Sequence, residues 1–132
     1  MGSKPRTTST VVRAAVTREG QVLLVRRARG ERLESQWELP GGTLAAGESL
    51  GEALHRELWE ETGLRPAGLP ALIATAARTT PSGRDMDEFS FLVPVDGELR
   101  LSPEHDRAIW HRPGDFPPGP VTEAAAEALE HL

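Results

Sequence analysis

One segment of this chain carries both a start and a stop signal for a helix, and the residues on either side are patterned as strand. Ser49 stands where an N-cap belongs, and Glu52 three residues on completes a capping box. Gly63 supplies a residue at ease in the left-handed conformation that ends helices, with Pro66 close behind. Between them Leu50, Leu54 and Leu58 recur at helical spacing. Upstream, residues 11–17 and 22–27 are rich in β-branched side chains, and Arg18-Glu19-Gly20-Gln21 reads as the turn of a hairpin. Residues 29–35 are polar and read as loop. Residues 37–42 (Trp-Glu-Leu-Pro-Gly-Gly) read as a strand end breaking into a turn, because Pro lacks an N–H and Gly accepts positive φ. Downstream, residues 69–79 and 88–95 read as strands and residues 108–111 as a short one. After the Pro117-Pro118-Gly119-Pro120 break, residues 121–132 read as an Ala-rich helix. Strands around one central helix, with a second helix closing the chain, predict an α/β (α+β) fold with a mixed sheet. Residues 1–8 are expected to be a flexible tail and residues 9–132 a single domain, which suits a length of 132.

Composition narrows the chemistry. Cysteine is absent, which excludes disulfides, a thiolate nucleophile and cysteine-ligated metal. Tyrosine is absent too, which excludes a phenol acid or base. The net charge of −5 comes without any basic patch, so a nucleic-acid polymer is not the expected partner. No apolar run approaches the ~20 residues of a membrane span, and residues 1–10 lack the apolar core of a signal peptide. No membrane association is expected, and the expected location is the cytoplasm. The abundance of Arg over Lys, with much Ala, Gly and Pro, suggests a bacterial, GC-rich coding sequence.

Three glutamates on the central helix need explaining. At about 100° per residue, Glu57, Glu60 and Glu61 fall within roughly a 100° arc. That arc overlaps the side carrying Leu50, Ala53, Leu54 and Leu58. Like charges at these spacings repel by roughly 0.2–0.5 kcal/mol per pair. A solvated acidic face is the ordinary reading of such a run. Carboxylates crowded beside a buried face, however, need a counter-charge, and a divalent cation supplies one. All-oxygen ligands favour Mg²⁺ or Mn²⁺. Gly41 and Gly42 let the backbone approach closely enough for a carbonyl to join the set. Arg56 can hold a carboxylate in a bidentate bond, although a surface salt bridge is the plainer reading of its place beside Glu57.

Gly42, five residues, Glu48, seven residues, then Arg56-Glu57-Leu58-Trp59-Glu60-Glu61-Thr62-Gly63-Leu64 resembles the Nudix box of the Nudix hydrolases at every required position. The preceding Trp-x-x-Pro-Gly-Gly, the element order and the length extend the resemblance over nearly the whole chain. It implies a Nudix αβα sandwich with a mixed β-sheet that hydrolyses a nucleoside diphosphate linked to some other group. Carried over residue by residue, it makes Glu57, Glu60 and Glu61 metal-binding carboxylates for Mg²⁺, with Mn²⁺ as a substitute. Gly41 matches the glycine whose carbonyl joins them, and Arg56 with Glu48 matches the supporting pair. Gly42 and Gly63 support the turn and the helix end. The implied chemistry is attack of water on a phosphorus of a pyrophosphate link. Glu57, Glu60 and Arg56 are the expected catalytic residues, Glu57 as base or metal ligand. The MutT-type branch is the most similar. There a further glutamate precedes a late tryptophan, and Glu104, six residues before Trp110, has the matching place; Glu88 and Glu98 are alternatives.

Residues outside the box bear on the substrate. Arg27 resembles a MutT-type arginine that meets substrate phosphate, and Arg84 a MutT-type loop arginine. Trp37 is expected either to stack on a base or to pack, and Leu39 is counted with it among substrate-binding residues. Asp115-Phe116-Pro117-Pro118 resembles the approach to the last helix. There the MutT-type branch carries an asparagine that reads the purine edge, and this chain has no Asn. Pro81 lies close to the place of an ADP-ribose pyrophosphatase marker. The expected activity is hydrolysis of a (d)NTP, a small-molecule nucleotide, to (d)NMP and pyrophosphate, by a monomer or homodimer. The alternatives are an ADP-ribose or nucleotide-sugar pyrophosphatase, or a Nudix fold retired to ligand sensing.

Overall fold

The computed structural model describes residues 8–80 and 82–132. Most of the expected tail, and Pro81, lie outside the described residues, whereas Thr8 already belongs to the first strand. Strands β1 (Thr8–Arg18) and β2 (Gln21–Arg27) form the expected hairpin. Its two turn residues, Glu19 and Gly20, have φ of 53° and 77°, the geometry whose twist suits antiparallel strands. The two strands pair only at Thr17↔Val22 and Arg18↔Gln21, then splay apart. Into the gap run β3 (Trp37–Glu38) along β2 and β4 (Gly41–Thr43) along β1. Gly41 and Gly42, expected to be turn, are therefore strand. A Cβ on Gly41 would collide with the backbone oxygen of Val12, so only glycine lets the chain come this close.

The remaining strands are β5 (Arg65–Pro66), β6 (Ala71–Thr79), β7 (Asp85–Asp96) and β8 (His105–His111). β7 runs parallel to β1 from Thr8↔Asp85 to Thr17↔Pro94, and all other strand pairs are antiparallel. The sheet is mixed, as expected. β7 and β8 begin three residues earlier than the apolar pattern suggests, because pairing with β1 and β2 recruits polar residues at their ends. The short β5 was not anticipated from the sequence, since two residues carry no periodicity.

Helices α1 (Leu50–Thr62) and α2 (Glu123–Leu129) cover opposite faces of the sheet. Alternation along β1 decides the faces. Val12, Ala14 and Val16 pack with Leu54 and Leu58 of α1, whereas Ala15 joins Leu24, Trp37, Ala125 and Ala128 under α2. Each fully buried leucine or valine contributes about 1.5–3 kcal/mol relative to exposure. The capping box of Ser49 and Glu52 is complete, and Gly63 ends α1 at φ 69° with its N–H on the Trp59 carbonyl. α2 is shorter than the Ala-rich pattern because Thr122 caps it, its side chain accepting from the Ala125 N–H. No helix among the described residues is long and apolar enough to cross a membrane.

Two glycine substitutions should move stability in opposite directions. Gly41→Ala puts a methyl group into backbone that cannot yield, and should cost about 1–3 kcal/mol. Gly51 is exposed in the first turn of α1 with open space around it, so Gly51→Ala should add about 0.5–1 kcal/mol. Urea denaturation of both variants against the parent chain reads the two signs.

Candidate active site

The last turn of α1 lies against the split between β1 and β2, and this brings its carboxylates to the β4 backbone. Glu61 is only 3% exposed, and it accepts the Gly41 N–H at 2.6 Å. A Cβ on Gly42 would stand 2.5 Å from the Glu57 carboxylate. Both glycines therefore do steric work: one admits the strand and the other admits the carboxylate. Glu60 points outward, its side chain 56% exposed. The three box glutamates thus run from buried to rim rather than sitting together on the inward face.

Arg56 organises the entrance. Its Nε and Nη2 donate to the two oxygens of Glu48 at 2.7 and 2.9 Å. Its Nη1 donates to Glu57 at 2.8 Å and to Glu60 at 3.3 Å, and Nη2 also reaches the Thr43 carbonyl at 3.1 Å. The fork is thus matched mainly to Glu48, and its guanidinium holds that carboxyl at about 2. The supporting pair expected from the sequence is present. It also ties the loop before α1 to the helix.

Glu104 lies in the turn before β8, and its carbonyl accepts the Ala28 N–H at 2.9 Å. Its carboxylate is close enough to act on Glu57 and Glu61. Burial pushes the Glu61 carboxyl up to about 9 against the opposing Gly41 N–H bond, and the charges of Glu57, Glu104 and Glu38 add to the rise. Burial also raises Glu57, with Glu60 and Glu104 adding to it and Arg56 opposing. Among the described residues no three carboxylates or imidazoles already converge on one point. The donor set nonetheless fits a hard divalent cation. It is all oxygen, it is crowded with like charge, and the protein's own cation is committed to Glu48.

The other expected site residues divide. Arg27 lies at the site's edge, but its guanidinium is engaged by Glu38 at 3.1 Å, the Arg32 carbonyl at 2.5 Å and Glu31 at 3.6 Å. Arg84 is exposed at the tip of the β6–β7 hairpin, where its backbone closes the turn with Thr80. Trp37 is 4% exposed and Leu39 1%, both in the core under α2. The reading of Trp37 as a stacking platform, and of Leu39 as a substrate contact, is therefore corrected to packing. Glu88 faces α2 and is bound by Arg78 at 3.1 Å, which removes it as an alternative to Glu104. Glu98 lies beside Gly63, at the far end of α1.

A buried polar network was missed. Glu38, 3% exposed, accepts from His105 Nε2 at 2.7 Å and from Arg27 Nη1 at 3.1 Å through the same oxygen, Oε2. Burial works to raise Glu38, but His105, Arg13 and Arg27 outweigh it and hold the carboxyl below its usual range. Oε1 looks toward Arg13, whose Nη1 stands 3.7 Å away, beyond hydrogen-bond reach. Arg78 clamps α2 to the sheet through Glu127 at 2.6 Å and Glu123 at 3.2 Å. Arg13, Glu38, Arg78 and Glu88 line a cavity of about 230 Å³ closed by the start of α2 and the loop at Leu33. The available signal was a glutamate between Trp37 and Leu39, a charge inside an apolar strand.

With fold and site in view, comparison with known proteins is decisive at the level of family. The NUDIX domain model matches residues 7–132, and the chain belongs to the Nudix family. A putative 8-oxo-dGTP diphosphatase 2 from Mycobacterium tuberculosis is 51% identical over 59 residues, which cover 45% of this chain and 42% of that protein. The chain thus matches less than half the length of that relative. The CTP pyrophosphohydrolase of Escherichia coli is 32% identical over 120 residues, covering 91% of this chain and 87% of that one. A MutT NUDIX hydrolase from Burkholderia pseudomallei superposes with a TM-score of 0.85 at 28% identity, covering 96% and 99% of the two chains.

The crowding of Glu61 has a thermal consequence. Glu61→Gln keeps an acceptor for the Gly41 N–H and removes a carboxyl that must take up a proton to be buried, its pKa being raised to about 9 in the fold, so Tm in EDTA should rise by about 3 °C or more at neutral pH. Thermal melts in EDTA and in excess Mg²⁺ check this, and the gain should shrink or reverse with metal.

Proposed function

We propose that this chain is a Mg²⁺-dependent pyrophosphohydrolase that cleaves a (d)NTP to (d)NMP and pyrophosphate in the cytoplasm. The observation that carries this reading is the buried Glu61 carboxyl, bound to the Gly41 N–H at the split of the sheet and lying within the field of Glu57 and Glu104. The E. coli relative named for pyrophosphohydrolysis of CTP supports it, as does the mycobacterial relative named for 8-oxo-dGTP.

Glu57, Glu60, Glu61 and Glu104 would hold the metal, with the Gly41 carbonyl as a further oxygen. When bound, Mg²⁺ would activate water and neutralise charge on the leaving phosphate. The protein's own groups do the rest. Glu57, whose proton affinity burial has raised, takes a proton from the attacking water. The water oxygen bonds to one phosphorus as the bridging oxygen departs with the leaving group. Arg56 fixes Glu57 and Glu48, so the base is held before substrate arrives. Arg84, exposed beside the cavity's Thr80, is available to a substrate held on that side. The cavity beyond Glu38 is below the ~300–1,000 Å³ of pockets for drug-sized ligands, and suits the base end of a nucleotide rather than all of it.

Pyrophosphate release from a panel of dNTPs and NTPs tests the reading. Turnover should require Mg²⁺, vanish in EDTA and return when metal is restored; full turnover in EDTA overturns it. Arg56→Lys keeps the charge and loses the fork that spans Glu48 and Glu57. It should lower kcat by at least about tenfold while leaving the fold intact by circular dichroism.

A further inference from the structure

His105 is the most enclosed imidazole of the chain, its side chain having no solvent exposure. It opens β8, opposite Arg27 across the bulge at which the β2–β8 register shifts. That irregularity brings both side chains to the same oxygen of Glu38. Nε2 lies 2.7 Å from Glu38 Oε2, and because Glu38 is ionised, Nε2–H is the donor. Nδ1 faces Glu61 Oε1 at 4.0 Å and is one of three buried side-chain polar atoms with no hydrogen-bond partner among the described residues. The ring thus stands between the cavity carboxylate and the buried carboxylate of α1.

The two donors on Oε2 are not equal. Arg27 is part exposed and is shared with Glu31 and the Arg32 carbonyl. His105 has no other side-chain hydrogen bond and no room to move. With Oε2 taken, Oε1 is the oxygen turned toward the cavity, and Arg13 stands at 3.7 Å without closing on it. Without the imidazole, Glu38 would keep one hydrogen-bonded arginine and could swing from its 3.7 Å ion pair with Arg13 into hydrogen-bond contact, occupying the oxygen that carries no hydrogen bond.

We propose that His105 is a positioning residue that holds Glu38 so that its open oxygen accepts a hydrogen bond from an N–H of the substrate's nucleobase. The proposal rests on the reading of the substrate as a nucleotide. It makes His105 and Glu38 a device for selectivity, separate from the carboxylates that surround the scissile phosphorus.

Binding separates this from hydrolysis. Calorimetry in Mg²⁺ would compare CMP and GMP with ribose 5-phosphate, which lacks a base, on the full chain and on His105→Gln and His105→Leu. A Gln amide nitrogen reaches where Nε2 stands, and Leu fills the volume with no donor. The parent chain should prefer a nucleoside monophosphate to ribose 5-phosphate. His105→Leu should lose roughly tenfold of that preference, His105→Gln should keep it, and ribose 5-phosphate should bind all three alike. In turnover, His105→Leu should raise KM for dNTPs more than it lowers kcat. If His105→Leu does not fold, His105→Asn, too short to reach Glu38, should show the same loss. No preference in the parent chain, preference retained in the Leu and Asn variants, or equal weakening of both ligands would overturn the proposal. If dNTPs are not hydrolysed but the preference behaves as described, the hydrolase reading falls and the positioning role stands. If dNTPs are hydrolysed and the preference does not move, the positioning role falls and the hydrolase reading stands.

Discussion

The bond from the Gly41 N–H to Glu61 joins the two halves of the molecule that matter for chemistry. It is short, at 2.6 Å, it is buried, and it ties the last turn of α1 to the strand that fills the split between β1 and β2. A carboxylate in that position is expensive, because burial and three neighbouring carboxylates all oppose its charge. The fold holds it there through features with no freedom to change: a glycine that admits β4 against β1, and a helix pinned by a capping box at one end and Gly63 at the other. A hydrophobic residue at position 61 would pack as well and cost less. A buried carboxyl that its surroundings oppose this strongly is the kind of group that clusters at functional sites.

The helix was legible because its signals are local. Ser49, Glu52 and Gly63 act within a turn of the residues they cap, and the leucine spacing needs no knowledge of partners. The same is true of the hairpin turn at Glu19-Gly20. The parallel contact of β7 with β1 and the wedge of β3 and β4 were not legible, because they depend on strands far apart in sequence. Gly41 and Gly42 looked like turn residues for the same reason. What makes them strand is a close approach to Val12 and Glu57, which no local pattern reveals.

The site shows the same division. Glu57, Glu61, Glu48 and Arg56 came from spacing within one segment and lie together in the structure. Glu104 comes from another part of the chain, yet lies near them, the arrangement the family resemblance implied. Trp37 shows the limit of reading residue type alone. An indole suits a base and a core equally, and only its 4% exposure decides. Glu38 and His105 escaped notice because each sits beside a residue with a more obvious reading, Trp37 in one case and Glu104 in the other.

The two faces of the sheet then divide the work. On the α1 face, carboxylates crowd one another, and burial and like charge push Glu61 toward its protonated form. On the α2 face, the three carboxylates of the cavity wall are matched by guanidinium groups: Glu88 and Glu123 by Arg78, Glu38 by Arg27. A charge-balanced wall has little pull on a free metal ion and much capacity to offer oriented donors and acceptors to a neutral base. A charge-crowded wall has the opposite character. With only the His105 ring between Glu38 and Glu61, the sheet would offer, on the proposed reading, a neutral end and a phosphate end to the same ligand. A nucleotide has that polarity, and a sugar phosphate without a base has only half of it.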